Sequence, residues 1–304
     1  MKGISIDRSP LYKAGVLVAM MFVGFFIAQI LVVFIFIATS ANPLENMVVD
    51  PLSQPVWALQ TIQFTSSVFT FLLPAFITAW LCSNQIKDFL SIRAFPDMRL
   101  LAVICLATLL LSPTVSLTGY FNSQIHLPES MAAIEEWMKA MEEDAEALLQ
   151  KMITGKGIIT FVINLFVIAV VAGVTEEFLF RGALLQIIRQ KIKNHHIAIW
   201  VVAILFSAIH LQFYGFIPRM ILGAYLGYLV YWTKNIWVPV FAHFFHNAVS
   251  FIGLSNESLK DNALFADEIA SEDILWFTII ACICLIAFVY CIKFANRFNI
   301  FRNQ

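Results

Sequence analysis

The chain has 304 residues, of which 60% are hydrophobic, 14% aromatic and 13% charged, with 29 Phe and a formal charge of -1, and its mean hydropathy is +0.82. A soluble domain carries about a quarter charged residues, so this composition excludes one. Only 12 Gly and 10 Pro exclude a low-complexity chain, and the lack of a basic stripe with interleaved aromatics excludes nucleic acid as a partner; an all-α, polytopic membrane protein is left.

A hydrocarbon core of about 30 Å takes about 20 apolar residues of helix. Runs of that kind cover residues 12–39, 57–82, 99–120, 158–188, 196–213, 217–233, 236–254 and 274–294, eight in all. The first is too long for the apolar segment of a signal peptide and is expected to remain as a span. Between the third and fourth, Met131, Ile134, Met138, Met141, Ala145, Leu148 and Met152 recur at helical spacing opposite an acidic face. That pattern predicts an amphipathic helix over 131–152, lying on the bilayer surface or capping the bundle. Residues 255–273 form a second acidic segment, read as a loop.

With the connections assigned alternately to two sides, 14 of the 19 Lys and Arg share the side of the N-terminus, and 15 of the 20 acids fall on the other. Basic residues stay in the cytoplasm, so both termini are expected there, in a bundle of about eight transmembrane helices in a bacterial plasma membrane. Cys82, Cys105, Cys282, Cys284 and Cys291 all lie in or beside apolar runs. They read as membrane-core residues, neither a disulfide frame nor a metal cluster.

An ionisable side chain inside a span is costly and is a functional candidate by default. The fourth run holds Glu176, Glu177 and Arg181. Arg181 follows Glu177 by four residues, the spacing of an ion pair along one helix face. Glu176 points about 100° away and must face another helix or water, where a carboxylate can serve as general base. The competing structural reading is that both carboxylates are bridged to Arg181 and to loop cations.

His210 closes Phe206-Ser-Ala-Ile-His and shares a face with Phe206. His243 and Asn247 stand four apart on another face, while His246 points elsewhere. At about 1.5 Å per residue, Glu176 and His210 each lie about 20 Å from the cytoplasmic boundary and His243 about 14 Å. A carboxylate, two imidazoles and a carboxamide thus reach similar depth. Water held by Glu176 and His210 can attack a carbonyl while His243 and Asn247 donate to the oxyanion, the two functions that peptide hydrolysis requires.

Glu-Glu-x-x-x-Arg at 176–181, Phe-x-x-x-His at 206–210 and His-x-x-x-Asn at 243–247 together resemble the CPBP family of intramembrane proteases, which comprises the type II CAAX prenyl endopeptidases and the bacterial Abi, or bacteriocin-immunity, proteins. The resemblance covers residues 158–252. It implies that Glu176 activates the attacking water, that His210 helps to hold it, that His243 and Asn247 form the oxyanion site, and that Glu177 and Arg181 support the motif helix. Residues 1–155 would then be three N-terminal spans with the outer amphipathic helix, 156–255 the CAAX-protease-like core of four spans, and 256–304 the outer loop and last span. The substrate implied is a hydrophobic or lipid-modified peptide or protein reached from the bilayer.

The family has been described both as metal-free and as metal-dependent. Zinc catalysis takes three protein ligands and water, a set that Glu176, His210 and His243 would make, although the helical His-Glu-x-x-His signature is absent. A water held by Glu176 and His210 without a cofactor is the favoured reading, with zinc as the alternative. Two other functions compete: a proton-coupled transporter using the same Glu and His residues as a relay, and a non-catalytic immunity or scaffold protein. Against the transporter, no pair of Gly- or Pro-broken helices marks two inverted halves. Gly223 and Gly227 form a small-x-x-x-small pair, which leaves open whether it packs helices of one chain or of two, and with it the oligomeric state.

Overall fold

The computed structural model describes residues 3–39, 52, 54–256, 258–259, 269 and 273–301. Among them there is no strand, and the protein is an all-α, multi-pass membrane protein. Its long helices are α1 (Pro10–Thr39), α2 (Val56–Cys82), α3 (Met98–Ser123), α4 (Ala132–Ile153), α5 (Ile158–Lys191), α6 (His195–Ala208), α7 (Phe216–Thr233), α8 (Trp237–Ser255) and α9 (Ile274–Arg297). Each of the eight apolar runs has become a helix, and α4 is the expected amphipathic one. Among the described residues six helices are long and apolar enough to cross a membrane: α1, α2, α3, α5, α8 and α9. The other two runs make α6, of 14 residues, and α7, of 18.

One boundary differs materially from the expectation. The run 196–213 is not helical to its end; α6 stops at Ala208, and Leu211 turns the chain with a φ of 54°. Apolar content does not register such a turn, because Ile209, Leu211 and Phe213 continue the apolar run past the end of the helix. The acidic segment 255–273 lies mostly outside the described residues.

Packing divides the chain into two compact units, each made of two separate stretches: Met1–Ile92 with Ala147–Asn194, and Arg93–Glu146 with His195–Gln304. In the first unit α1 lies against α2 and the end of α5. Gly24 of α1 is essential to that contact, since a Cβ there would stand 1.8 Å from the Phe69 carbonyl oxygen. Phe69 sits in a π-helical turn of α2, Val68–Leu72. Buried amides tie the helices together: Gln60 Nε2 donates to Asn164 Oδ1 at 2.8 Å, and Asn164 Nδ2 donates to the Met152 carbonyl at 2.5 Å. In hydrocarbon such groups have no water to turn to, so they must satisfy each other.

In the second unit Leu100, Ile104 and Leu111 of α3 form one core with Leu226 and Leu229 of α7, Val238 of α8 and Ile292 of α9. Asp97 caps α3, its Oδ1 accepting the Leu100 N–H at 2.8 Å. The small pair on α7 packs within the chain: a Cβ on Gly223 would meet Phe206 Cδ1 at 3.1 Å, and one on Gly227 would meet Ile199 Cγ2 at 2.8 Å. Tyr225 and Thr108 share a buried hydroxyl contact of 3.2 Å. Phe22, Phe26 and Phe34 on α1 and Ile283, Ile286 and Tyr290 on α9 are exposed, the arrangement of helices whose outer faces are solvated by lipid. All five cysteines are free thiols.

Candidate active site

Within the first unit, Ala172–Glu177 is a short α-helical stretch bounded by two π-helical turns, Phe166–Val171 and Phe178–Leu184. Turns of this kind insert an extra residue into the helical ladder and recur at functional positions. Glu177 and Arg181 are both fully buried, and Arg181 Nη1 donates to Glu177 Oε1 at 2.6 Å, the ion pair expected from their spacing. The residues around the pair are closely packed. Phe178 stacks on Phe76 at 5.2 Å, Gly182 lets Leu90 approach to within 3.3 Å of where a Cβ would lie, and Gln186 Nε2 donates to the Arg181 carbonyl at 3.2 Å. Glu176, one residue earlier, is only half-buried. The two neighbouring carboxylates therefore occupy different environments, one sealed with a guanidinium and one accessible.

Within the second unit, His210 lies two residues beyond the end of α6, its backbone N–H still reaching the Ser207 carbonyl at 3.3 Å. Its ring folds back so that Nδ1 is 2.7 Å from the Phe206 carbonyl. A carbonyl only accepts, so Nδ1 carries the proton and Nε2 presents its lone pair whenever the imidazole is neutral. The same contact satisfies one of the carbonyls left open at a helix C-terminus. Phe206, itself buried, sits edge-on between two imidazoles: its ring centroid is 5.1 Å from that of His210 and 6.0 Å from that of His243. His243 is buried on α8, and Asn247 one turn later is half-buried. The structure thus gathers His210 and His243 about one phenyl ring.

The segment after His210 is held from two other helices. Asn122, at the end of α3, donates through Nδ2 to the Phe213 carbonyl at 2.7 Å and accepts the Ile217 N–H at 2.8 Å. Glu142 of α4 accepts from Gln212 Nε2 and from the Tyr214 backbone N–H, each at 3.2 Å. Sequence reasoning passed over these residues. Glu142 carried no signal, being one acid among many on an amphipathic face, whereas Asn122 gave a weak one as a carboxamide at the end of an apolar run.

Among the described residues no group of three or more His, Cys, Asp or Glu is arranged to hold a metal ion.

Fold and side chains define a multi-pass membrane protein with a buried Glu–Arg pair beside an accessible glutamate on one helix, and with two imidazoles, one just past the end of α6 and one on α8, near one phenyl ring. Residues 158–249 match the family model described as type II CAAX prenyl endopeptidase Rce1-like, and all six candidate residues fall inside that segment. The match bears out the resemblance drawn from the three motifs and supports a protease-like function at the level of the family. Over 121 residues, 38% of this chain and 57% of the relative, the protein is 28% identical to the uncharacterized protein YpbD of Bacillus subtilis (strain 168). The chain therefore spans little more than half the length of that relative. No solved structure matches it at a significant level.

Proposed function

We propose that the protein is an intramembrane endopeptidase that hydrolyses a peptide bond of a hydrophobic or lipid-modified substrate by means of a water activated by Glu176. The observation that carries this reading is that one family match, residues 158–249, contains all three motifs in order. Glu176 accepts a proton from the attacking water as the oxygen bonds to the scissile carbonyl carbon. Neutral His210, with its proton fixed on Nδ1 by the Phe206 carbonyl, offers Nε2 as the acceptor that orients that water. His243 and the Asn247 carboxamide donate hydrogen bonds to the oxyanion, which preorganised donors stabilise far better than bulk water does. The proton held by Glu176 then passes to the leaving amine as the carbon–nitrogen bond breaks. Glu177 takes no part in proton transfer; paired with Arg181 it anchors the helix that presents Glu176.

The test is cleavage of quenched hydrophobic peptides, with and without a farnesylated cysteine, by the purified protein in detergent. Glu176→Gln should lose at least 10²-fold in kcat, the lower range for a positioned general base, with the variant still folded and inserted. Wild-type activity in that variant overturns the reading. A parallel sample with chelator distinguishes a metal-dependent reaction, which would stop, from the one proposed.

A further inference from the structure

We infer that Glu142, on the acidic outer helix α4, is a positioning residue that holds His210 in its working tautomer and place. The inference rests on the reading of His210 as an active-site residue. His210 lies past the last residue of α6, Ala208, and the residue after it is left-handed, at φ 54°. The geometry of the ring-to-carbonyl contact at Phe206 therefore depends on where the segment 211–215 is fixed.

Four side chains from outside the segment hold it, and Glu142 makes two of the links. One carboxylate oxygen accepts from Gln212 Nε2 and the other from the Tyr214 N–H, both at 3.2 Å. The Gln212 amide oxygen accepts from Arg219 Nη2 at 2.8 Å, and the Gln212 carbonyl accepts from Arg219 Nη1 at 3.4 Å. A carboxylate and a guanidinium are thereby joined through one amide, each atom of which has its polarity used. Trp137, five residues before Glu142 on the same helix, sets its ring 5.5 Å from that of Phe213. Asn122 holds the segment from α3 through hydrogen bonds to Phe213 and Ile217, so close to His210, at Gln212 and Tyr214, the tie to a neighbouring helix comes from Glu142, with Arg219 bracing Gln212 from α7. Hydrogen bonds to a charged group are the stronger kind, and a misplacement of about 1 Å at a reacting group costs on the order of a hundredfold in rate.

The experiment uses the full chain labelled with ¹⁵N-histidine in detergent micelles, with the His210→Gln spectrum identifying the His210 ring signals, and a parallel measurement of kcat and KM. In the wild type His210 should give one tautomer, protonated on Nδ1. Glu142→Ala should shift those signals toward a mixture of tautomers and lower kcat about tenfold to a hundredfold, with KM within about twofold. Glu143→Ala removes the same charge from an exposed position next to it and should change neither readout. Gln212→Met cuts one link without altering α4; it should shift the same signals in the same direction, and it serves where Glu142→Ala does not fold. Unchanged His210 signals in a folded Glu142→Ala variant overturn the inference, whether or not kcat falls. Shifted signals in a protein whose wild type cleaves no peptide uphold the positioning role and overturn the protease reading.

Discussion

The Glu177–Arg181 pair allows a sharp energetic prediction. Both side chains are fully buried and their charged atoms are 2.6 Å apart, so at an effective dielectric constant of about 20 the direct attraction is roughly 6 kcal/mol. Desolvation costs several kcal/mol for each ion, which makes an intact buried pair close to neutral against an apolar pair of similar size, while removal of one partner costs about 3–5 kcal/mol. Arg181→Met and Glu177→Leu should each be destabilised by that amount. The double variant should lie within about 2 kcal/mol of wild type, because no buried charge is left without its partner. The assay is reversible unfolding of the four proteins in mixed micelles titrated with sodium dodecyl sulfate, analysed as a double-mutant cycle. Additive losses, with a coupling below about 0.5 kcal/mol, would refute the argument. The double variant should also be poorly active despite its stability, since the helix presenting Glu176 would have lost its anchor.

Two further predictions concern packing and pH. Gly24→Ala places a methyl 1.8 Å from the Phe69 carbonyl oxygen, whereas at Gly15 a Cβ meets nothing within 4 Å; the first substitution should cost about 1–3 kcal/mol or more and the second nothing, by the same unfolding titration, and equal effects would refute the close approach. Glu135, outside the spans, has its carboxyl lowered to about 2 by the Lys139 ammonium first, then by His126 and the Leu127 N–H. Because this folded value lies below the unfolded one of about 4.3, the stabilisation is complete above about pH 4.3 and is lost as the pH falls toward 2. Stability curves of wild type and Glu135→Gln should therefore differ at pH 6 and converge near pH 2, and parallel curves would show that the carboxylate contributes nothing.

The helices were largely legible in the sequence. Every apolar run became a helix with ends within a few residues of those expected, α6 excepted, because hydrophobic length is the quantity that both the reading and the bilayer respond to. The Glu177–Arg181 pair was legible for a similar reason, being a contact within one helix. Less was legible of the neighbourhood of His210. Its turn at Leu211, the carbonyl that fixes its tautomer, and the clamp from Glu142 and Asn122 all involve groups distant in sequence or backbone atoms that every residue possesses. The π-helical turns around Glu176 left no trace in composition either.

The sequence by itself determined that the protein lives in a bilayer, that it is helical, and which six side chains lie within its apolar segments at motif spacing. These properties follow from local hydrophobicity and from the period of a helix, which a short window of residues contains. Tertiary structure alone decided that stretches as distant as Met1–Ile92 and Ala147–Asn194 fold as one unit, that Gly223 and Gly227 bring α7 onto α6 within one chain, and that Phe206 lies between two imidazoles. Those outcomes depend on which surfaces fit when backbones approach to contact distance, and complementarity of that kind belongs to pairs of segments, so neither segment carries it alone.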